Sequence, residues 1–160
     1  MAFSPRGGLL AIANYGTVSM FSVGAAGALT PVTGSPFATG NYANSVAFSP
    51  GGGLLATANA DDNTVSVFSV DAGGTLTPVT GSPFTTGRNP DSVAFSPGGR
   101  LPATAHAGDT TVSVFPVAAV GTLRPVPVSP CTTVRFPVWP PPRPAGAPIS
   151  PPLPPAPRSC

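Results

Sequence analysis

His106 is the single histidine of this chain, and Asp109 is the carboxylate nearest to it in sequence. An imidazole oriented by a carboxylate is the smallest set that could act as a general base, so this pair is the first candidate for catalysis. When the chain is aligned with itself, however, His106 falls where Asn14 and Asn59 stand, and the expected role is then a turn residue in place of Asn. Asp61 and Asp62, followed by Asn63, supply oxygen ligands of the kind calcium takes. They lack the regular ligand spacing of a calcium loop, and a hairpin turn is expected. With no Glu and no second His, paired-acid sites and His-cluster metal sites are not expected. Gly7-Gly8 and Gly51-Gly52-Gly53 are not followed by the Lys and helix that a phosphate loop requires, so no cofactor is expected. Cys131 and Cys160 sit in or beside a Pro-rich region; a bridge between them would tie no evident core, and two cysteines do not set a redox compartment.

The elements that must carry these residues come from a repeat. Val46 to Gly87 matches Met1 to Gly40, and matches again from Val93 to Pro130, with a period of about 47 residues, in the range where stacked copies decide the fold. In the middle copy, Ser45 to Phe48 is a short apolar run stopped by the turn cluster Ser49-Pro50-Gly51-Gly52, and Leu54 to Ala58 is a second run. Asn59 to Asn63 forms a polar break. Thr64 to Val70, rich in β-branched residues, is the clearest strand, and after Asp71-Ala72-Gly73-Gly74 the run Thr75 to Thr80 makes a fourth. Gly81-Ser82-Pro83-Phe84 is expected to lead out of the unit. No segment shows helical periodicity.

Side chains alternate along a strand, so Val65 and Val67 point one way while Ser66 and Phe68 point the other. Both faces therefore carry apolar groups, as they do at Val18, Met20 and Phe21 and at Val112, Val114 and Phe115. A sheet apolar on both faces needs cover on both, which the radial packing of propeller blades provides.

The strings VAFSP, LLATAN, NTVSVFSVD and GSPF, recurring in register over residues 1 to about 130, resemble the blade repeat of the lactonase family of bacterial seven-bladed propellers, close to 6-phosphogluconolactonase-like and YVTN-type repeat proteins. The resemblance implies an all-β fold, a partial β-propeller of about three four-stranded antiparallel blades, at about 1–45, 46–92 and 93–130. For a complete member it implies a closed ring with a central cavity and, in some members, hydrolysis of a sugar lactone.

Three blades do not close a ring, since propellers use four to eight. Met1 stands where the other copies have Val46 and Val93, inside a first strand, so the chain is expected to be a piece of a longer propeller or to associate with other blades or with itself. The expected function is a structural or interaction module without a complete catalytic site of its own. The alternative is a sugar-lactone hydrolase that is active only in a completed or oligomerised ring. No leader or transmembrane run marks a compartment.

Proline reshapes the later part of the chain. Pro102, Pro116 and Pro127 fall within strand signals of the third copy, which is expected to be an edge or poorly ordered. Residues 131–160 form a Pro-rich tail, read as disordered, because proline lacks a backbone donor and fixes φ. Charged residues are 8% of the chain, against about a quarter in ordinary globular proteins. The repeats carry Arg6, Arg88, Arg100 and Arg124 against five Asp, and the net charge of +2 comes from Arg135, Arg143 and Arg158 in the tail. A basic face for nucleic acid is therefore not expected.

Overall fold

Wherever β-branched and aromatic residues run between clusters of Gly, Pro, Asn and Ser, the chain forms a strand. The computed structural model describes residues 1–100, 102–116 and 130–132, and among them every regular element is β. The first sheet holds β1 (Ala2–Phe3), β2 (Leu9–Ala13), β3 (Thr17–Val23), β4 (Leu29–Pro31) and β5 (Phe37–Ala38). The second holds β6 (Ala43–Phe48), β7 (Leu54–Asn59), β8 (Thr64–Val70), β9 (Leu76–Pro78) and β10 (Phe84–Thr85). The third holds β11 (Pro90–Phe95), β12 (Pro102–His106), β13 (Thr111–Val114) and β14 (Cys131–Thr132). Every pairing is antiparallel, and each sheet is one blade of a partial propeller.

The Ser-Pro-x-Gly motif ends the first strands of the first and second blades through the same bonds, and in the third blade the Gly99 amide likewise donates to the Ser96 carbonyl at 2.8 Å. The Leu54 amide donates to Ser49 Oγ at 3.0 Å, the Ser49 amide to the Leu54 carbonyl at 2.9 Å, and the Gly52 amide to the Ser49 carbonyl at 2.8 Å. Gly52 must turn back at φ 75°, a left-handed conformation that a Cβ would strain, and Gly7 and Gly99 do the same in their blades.

The outer strand differs from the sequence expectation, because it is built in two pieces. In the second blade β9 stops at Pro78, the chain turns, and Phe84 then returns to pair with Val65 on β8. Ser82 makes the turn compatible with the sheet: its Oγ accepts the Val67 amide at 2.9 Å, a ladder donor that the interrupted strand would otherwise leave bare. Ser35 does the same for the Met20 amide at 2.9 Å, and the Ser35-Pro36 and Ser82-Pro83 peptides are both cis. Gly-Ser-Pro-Phe is thus part of the blade rather than its exit. Cys131 takes the register of Phe37 and Phe84, opposite Val112 on β13.

Among the described residues the third blade repeats the order of first, second and third strands. Pro102 begins β12 between β11 and β13, its carbonyl accepting the Phe115 amide at 2.9 Å. Proline has no amide to return a bond to Phe115, and β13 ends at Val114 where β8 runs on to Val70. Pro127, Cys160 and the tail from residue 133 lie outside the described residues.

Apolar groups on both faces of the third strands serve two interfaces. Between the first and second blades, Met20, Val18 and Ala11 pack against Leu55, Phe68 and Val46. Between the second and third, Val65, Val67, Ala56 and Ala58 meet Val93 and Phe115. The first strands of neighbouring blades lie together, β6 beside β11, as the inner strands of a radial array must. Among the described residues no helix is long and apolar enough to cross a membrane.

Candidate functional site

At the end of each second strand a polar side chain is held by the strand beside it. Asn59 is fully buried; its Nδ2 donates to Thr64 Oγ1 at 3.0 Å and Ser66 Oγ at 2.9 Å, and its Oδ1 accepts from Thr57 Oγ1 at 3.1 Å. Asn14 bonds to Thr17 and Ser19 in the same pattern, at 3.4 and 2.9 Å, but is exposed. His106 occupies this slot in the third blade, buried and bonded to Thr104 and Thr111, the counterparts of Thr57 and Thr64.

The ring's hydrogen bonds assign its tautomer. The Gly87 amide can only donate, and it points at His106 Nε2 at 3.3 Å, so Nε2 is the acceptor and Thr104 Oγ1, 2.8 Å away, donates to it as well. Nδ1 therefore carries the proton and donates to Thr111 Oγ1 at 2.7 Å, whose own proton goes to Asp109 Oδ1 at 2.5 Å. Asp109 lies 3.8 Å from Nδ1 and reaches the ring through this hydroxyl. Its Oδ2 accepts the Arg88 amide at 2.9 Å. Burial pushes the imidazole below its usual range and outweighs the upward pull of Asp109, while the Thr111 hydroxyl and then the Arg88 amide draw Asp109 down. Both ring nitrogens are engaged within the protein: Nε2 accepts the amide of Gly87 in the linker entering the third blade, and Nδ1 is held by Thr111.

The second blade repeats the clasp. Asp62 accepts the Asn41 amide at 2.8 Å and Asn41 Nδ2 at 3.0 Å, bonds that hold its carboxyl below the usual range. The structure thus occupies Asp62 with the incoming linker and leaves Asp61 exposed. Among the described residues no group of three or more His, Cys, Asp or Glu is placed to hold a metal ion. Gly40 and Gly87 lie against these slots. A Cβ on Gly87 would stand 2.4 Å from His106 Nδ1, and one on Gly40 would stand 2.8 Å from Asn59 Nδ2.

Two residues that sequence reasoning passed over sit next to these slots on the inner strands. The pairing of β6 with β7 slips between Ala43 and Ser45, and that of β11 with β12 slips between Pro90 and Ser92, so Asn44 and Asp91 are bulged residues. A bulge re-aims its side chain out of the ladder. Both are exposed, and Asn44 Nδ2 donates to Asp91 Oδ1 at 3.0 Å across the two blades. Tyr42 and Asn89, at φ 54° and 52°, turn the chain into these bulges. The signal available in sequence was a polar residue at equivalent positions just before the apolar run.

At the opposite end of the blades, the Ser-Pro-Gly turns of the first and second blades enclose a cleft of about 520 Å³ lined by Arg6, Ser22, Gly53 and Asp71. The Asp71 carboxylate is occupied by its own turn, accepting the Thr75 amide at 2.8 Å and the Gly73 amide at 2.9 Å.

Comparison with solved structures finds the same architecture. The periplasmic gluconolactonase of Pseudomonas aeruginosa superposes with a TM-score of 0.67 at 27% identity, over 78% of this chain and 37% of that one. A candidate 6-phosphogluconolactonase of Bacteroides fragilis gives a TM-score of 0.71 at 25% identity, over 79% of this chain and 36% of that one. One from Bacteroides uniformis gives 0.70 at 22% identity, over 78% and 38%. The chain spans little more than a third of the length of these structures. Comparison with curated proteins finds no match. The family model for the seven-bladed β-propeller lactonases matches residues 30–132. Blade repeat, inner-strand packing and family match agree, and the chain belongs to the lactonase family of seven-bladed β-propellers.

Proposed function

We propose that this chain is a structural and interaction module that contributes blades to a lactonase-like ring, without a complete catalytic site within the three blades themselves. The observation that supports this reading is the engagement of His106 and Asp109. The histidine and carboxylate that could act together in base chemistry hold the linker at Gly87 and Arg88, in a slot that Asn fills in the other two blades. The test is hydrolysis of a sugar lactone by the purified chain and by its His106→Asn variant. The expected result is ring opening at the spontaneous rate in both. Turnover above that rate which disappears in the variant would refute the reading.

A second reading, sugar-lactone hydrolysis by a completed or oligomerised ring, is favoured by the bulged Asn44 and Asp91 on the inner strands and by the gluconolactonase named among the structural neighbours. Lactone opening needs a water activated by a base and a donor on the carbonyl oxygen. In this reading Asp91 is the base and Asn44 Nδ2 the donor, with the remaining contacts supplied by other blades. Asp91→Asn would then abolish turnover in the closed assembly without altering its mass.

A further inference from the structure

Two charged residues depart from the repeat at the junction of the first two blades, at the end away from Asn44 and Asp91. Arg6 stands where the other copies have Gly51 and Gly98, and Asp71 stands where the first copy has Gly24. Both line the cleft of about 520 Å³ between the Ser-Pro-Gly turns. Charged residues are scarce in this chain, yet this cleft holds one of each sign, and among the described residues neither is ion-paired. The cleft also has an apolar lining. Leu9 and Val70 are half-buried and pack against the core of the first interface. Leu9 is fixed against Gly74, where a Cβ would stand 2.7 Å from Leu9 Cδ2. The rim is open backbone, since a Cβ on Gly8, Gly51 or Gly53 would meet nothing within 4 Å.

We infer that this cleft binds a small zwitterion with an aliphatic body, of the class of a free aliphatic amino acid. The Arg6 guanidinium stays charged, and its fork of donors suits a carboxylate. Asp71 is ionised as well, because the Thr75 amide draws its carboxyl below the usual range. The Thr75 and Gly73 amides both meet Asp71 Oδ1, and a carboxylate offers about four lone-pair sites, so acceptor capacity remains for an ammonium group. A purely anionic ligand would meet a like charge in Asp71, and a purely cationic one would meet it in Arg6. The aliphatic body covers Leu9 and Val70, and removing that apolar surface from water adds to affinity. A cleft of this size, apolar with a few polar groups, has the usual form of a small-molecule site. All of its residues come from the first two blades, so the site is independent of lactone chemistry and of how a ring is completed.

The experiment is a ligand-observed NMR titration of the full chain with L-leucine, with 4-methylpentanoate, which lacks the ammonium, and with L-leucinamide, which lacks the carboxylate. Saturable binding of leucine in the millimolar range is expected, weakened about fivefold for each of the other two. Arg6→Gln should weaken leucine by a similar factor without weakening leucinamide, because only a carboxylate loses its partner. Gly53→Phe should abolish leucine binding by filling the cleft. The third blade carries Arg100 at that position, so the turn accepts a large side chain, and circular dichroism checks the β signature of both variants. Absence of saturation by leucine overturns the inference. So does binding of 4-methylpentanoate or leucinamide as tight as that of leucine, or leucine binding that either variant leaves unmoved.

Discussion

His106 shows how a residue that could do base chemistry in sequence is hydrogen-bonded at both ring nitrogens in the fold. Its slot is shaped by Thr104 and Thr111, which repeat Thr57 and Thr64 around Asn59, so His106→Asn should fold with the linker still held by Asp109. The variant also isolates the pH dependence of the ring. Burial depresses the folded imidazole below its ordinary value of 6.5, so on acidification the unfolded chain takes up the proton first. The contribution of this group is full above the unfolded value and is lost as pH falls through the folded one. Urea midpoints at about pH 7.5 and about pH 5 should therefore fall more in the wild type than in His106→Asn, and equal falls would contradict the neutral, buried ring. Gly87→Ala places a methyl 2.4 Å from a ring nitrogen and 2.7 Å from Thr111 Oγ1, and should lower unfolding free energy by about 1–3 kcal/mol. Denaturant melts measure it.

At the scale of elements, the hairpin between second and third strands decides how well each blade receives its neighbour. Asn63 and Thr110 end these hairpins at φ 54° and 52°, a left-handed conformation that suits Asn and opposes a β-branched residue. Thr110→Asn should stabilise the third blade by about 1 kcal/mol in a thermal or urea melt, and a loss would show that the threonine is needed there. The β7–β8 hairpin has a different dependence, on the fully buried Leu55 between the first two blades. Leu55→Ala should destabilise by about 2–5 kcal/mol, read from the urea midpoint. The strand order was legible because turn residues punctuate it, but the split outer strand was not. Gly81 to Phe84 reads as an exit until Ser82 Oγ is seen to accept the Val67 amide across the sheet.

For the whole molecule, the radial arrangement follows from third strands that are apolar on both faces, which was visible at Val65, Val67 and Phe68. The structure sorts these residues between two interfaces, Phe68 toward the first blade and the valines toward the third.

Repeat period, the order of the strands within a blade and the family were determined by the sequence alone, because each is written in local pattern and recurs in register. The location of the candidate site was not. Asn44 and Asp91 are 47 residues apart and meet only because neighbouring blades pack with their inner strands together and each strand bulges at the same place. His106 and Asp109 are near in sequence, but their role was set by the linker from the preceding blade, whose Gly87 and Arg88 amides take the nitrogen and oxygen a substrate would need. Tertiary packing decides which polar groups are engaged by the backbone and which stay exposed, and that assignment has no signature in a single strand.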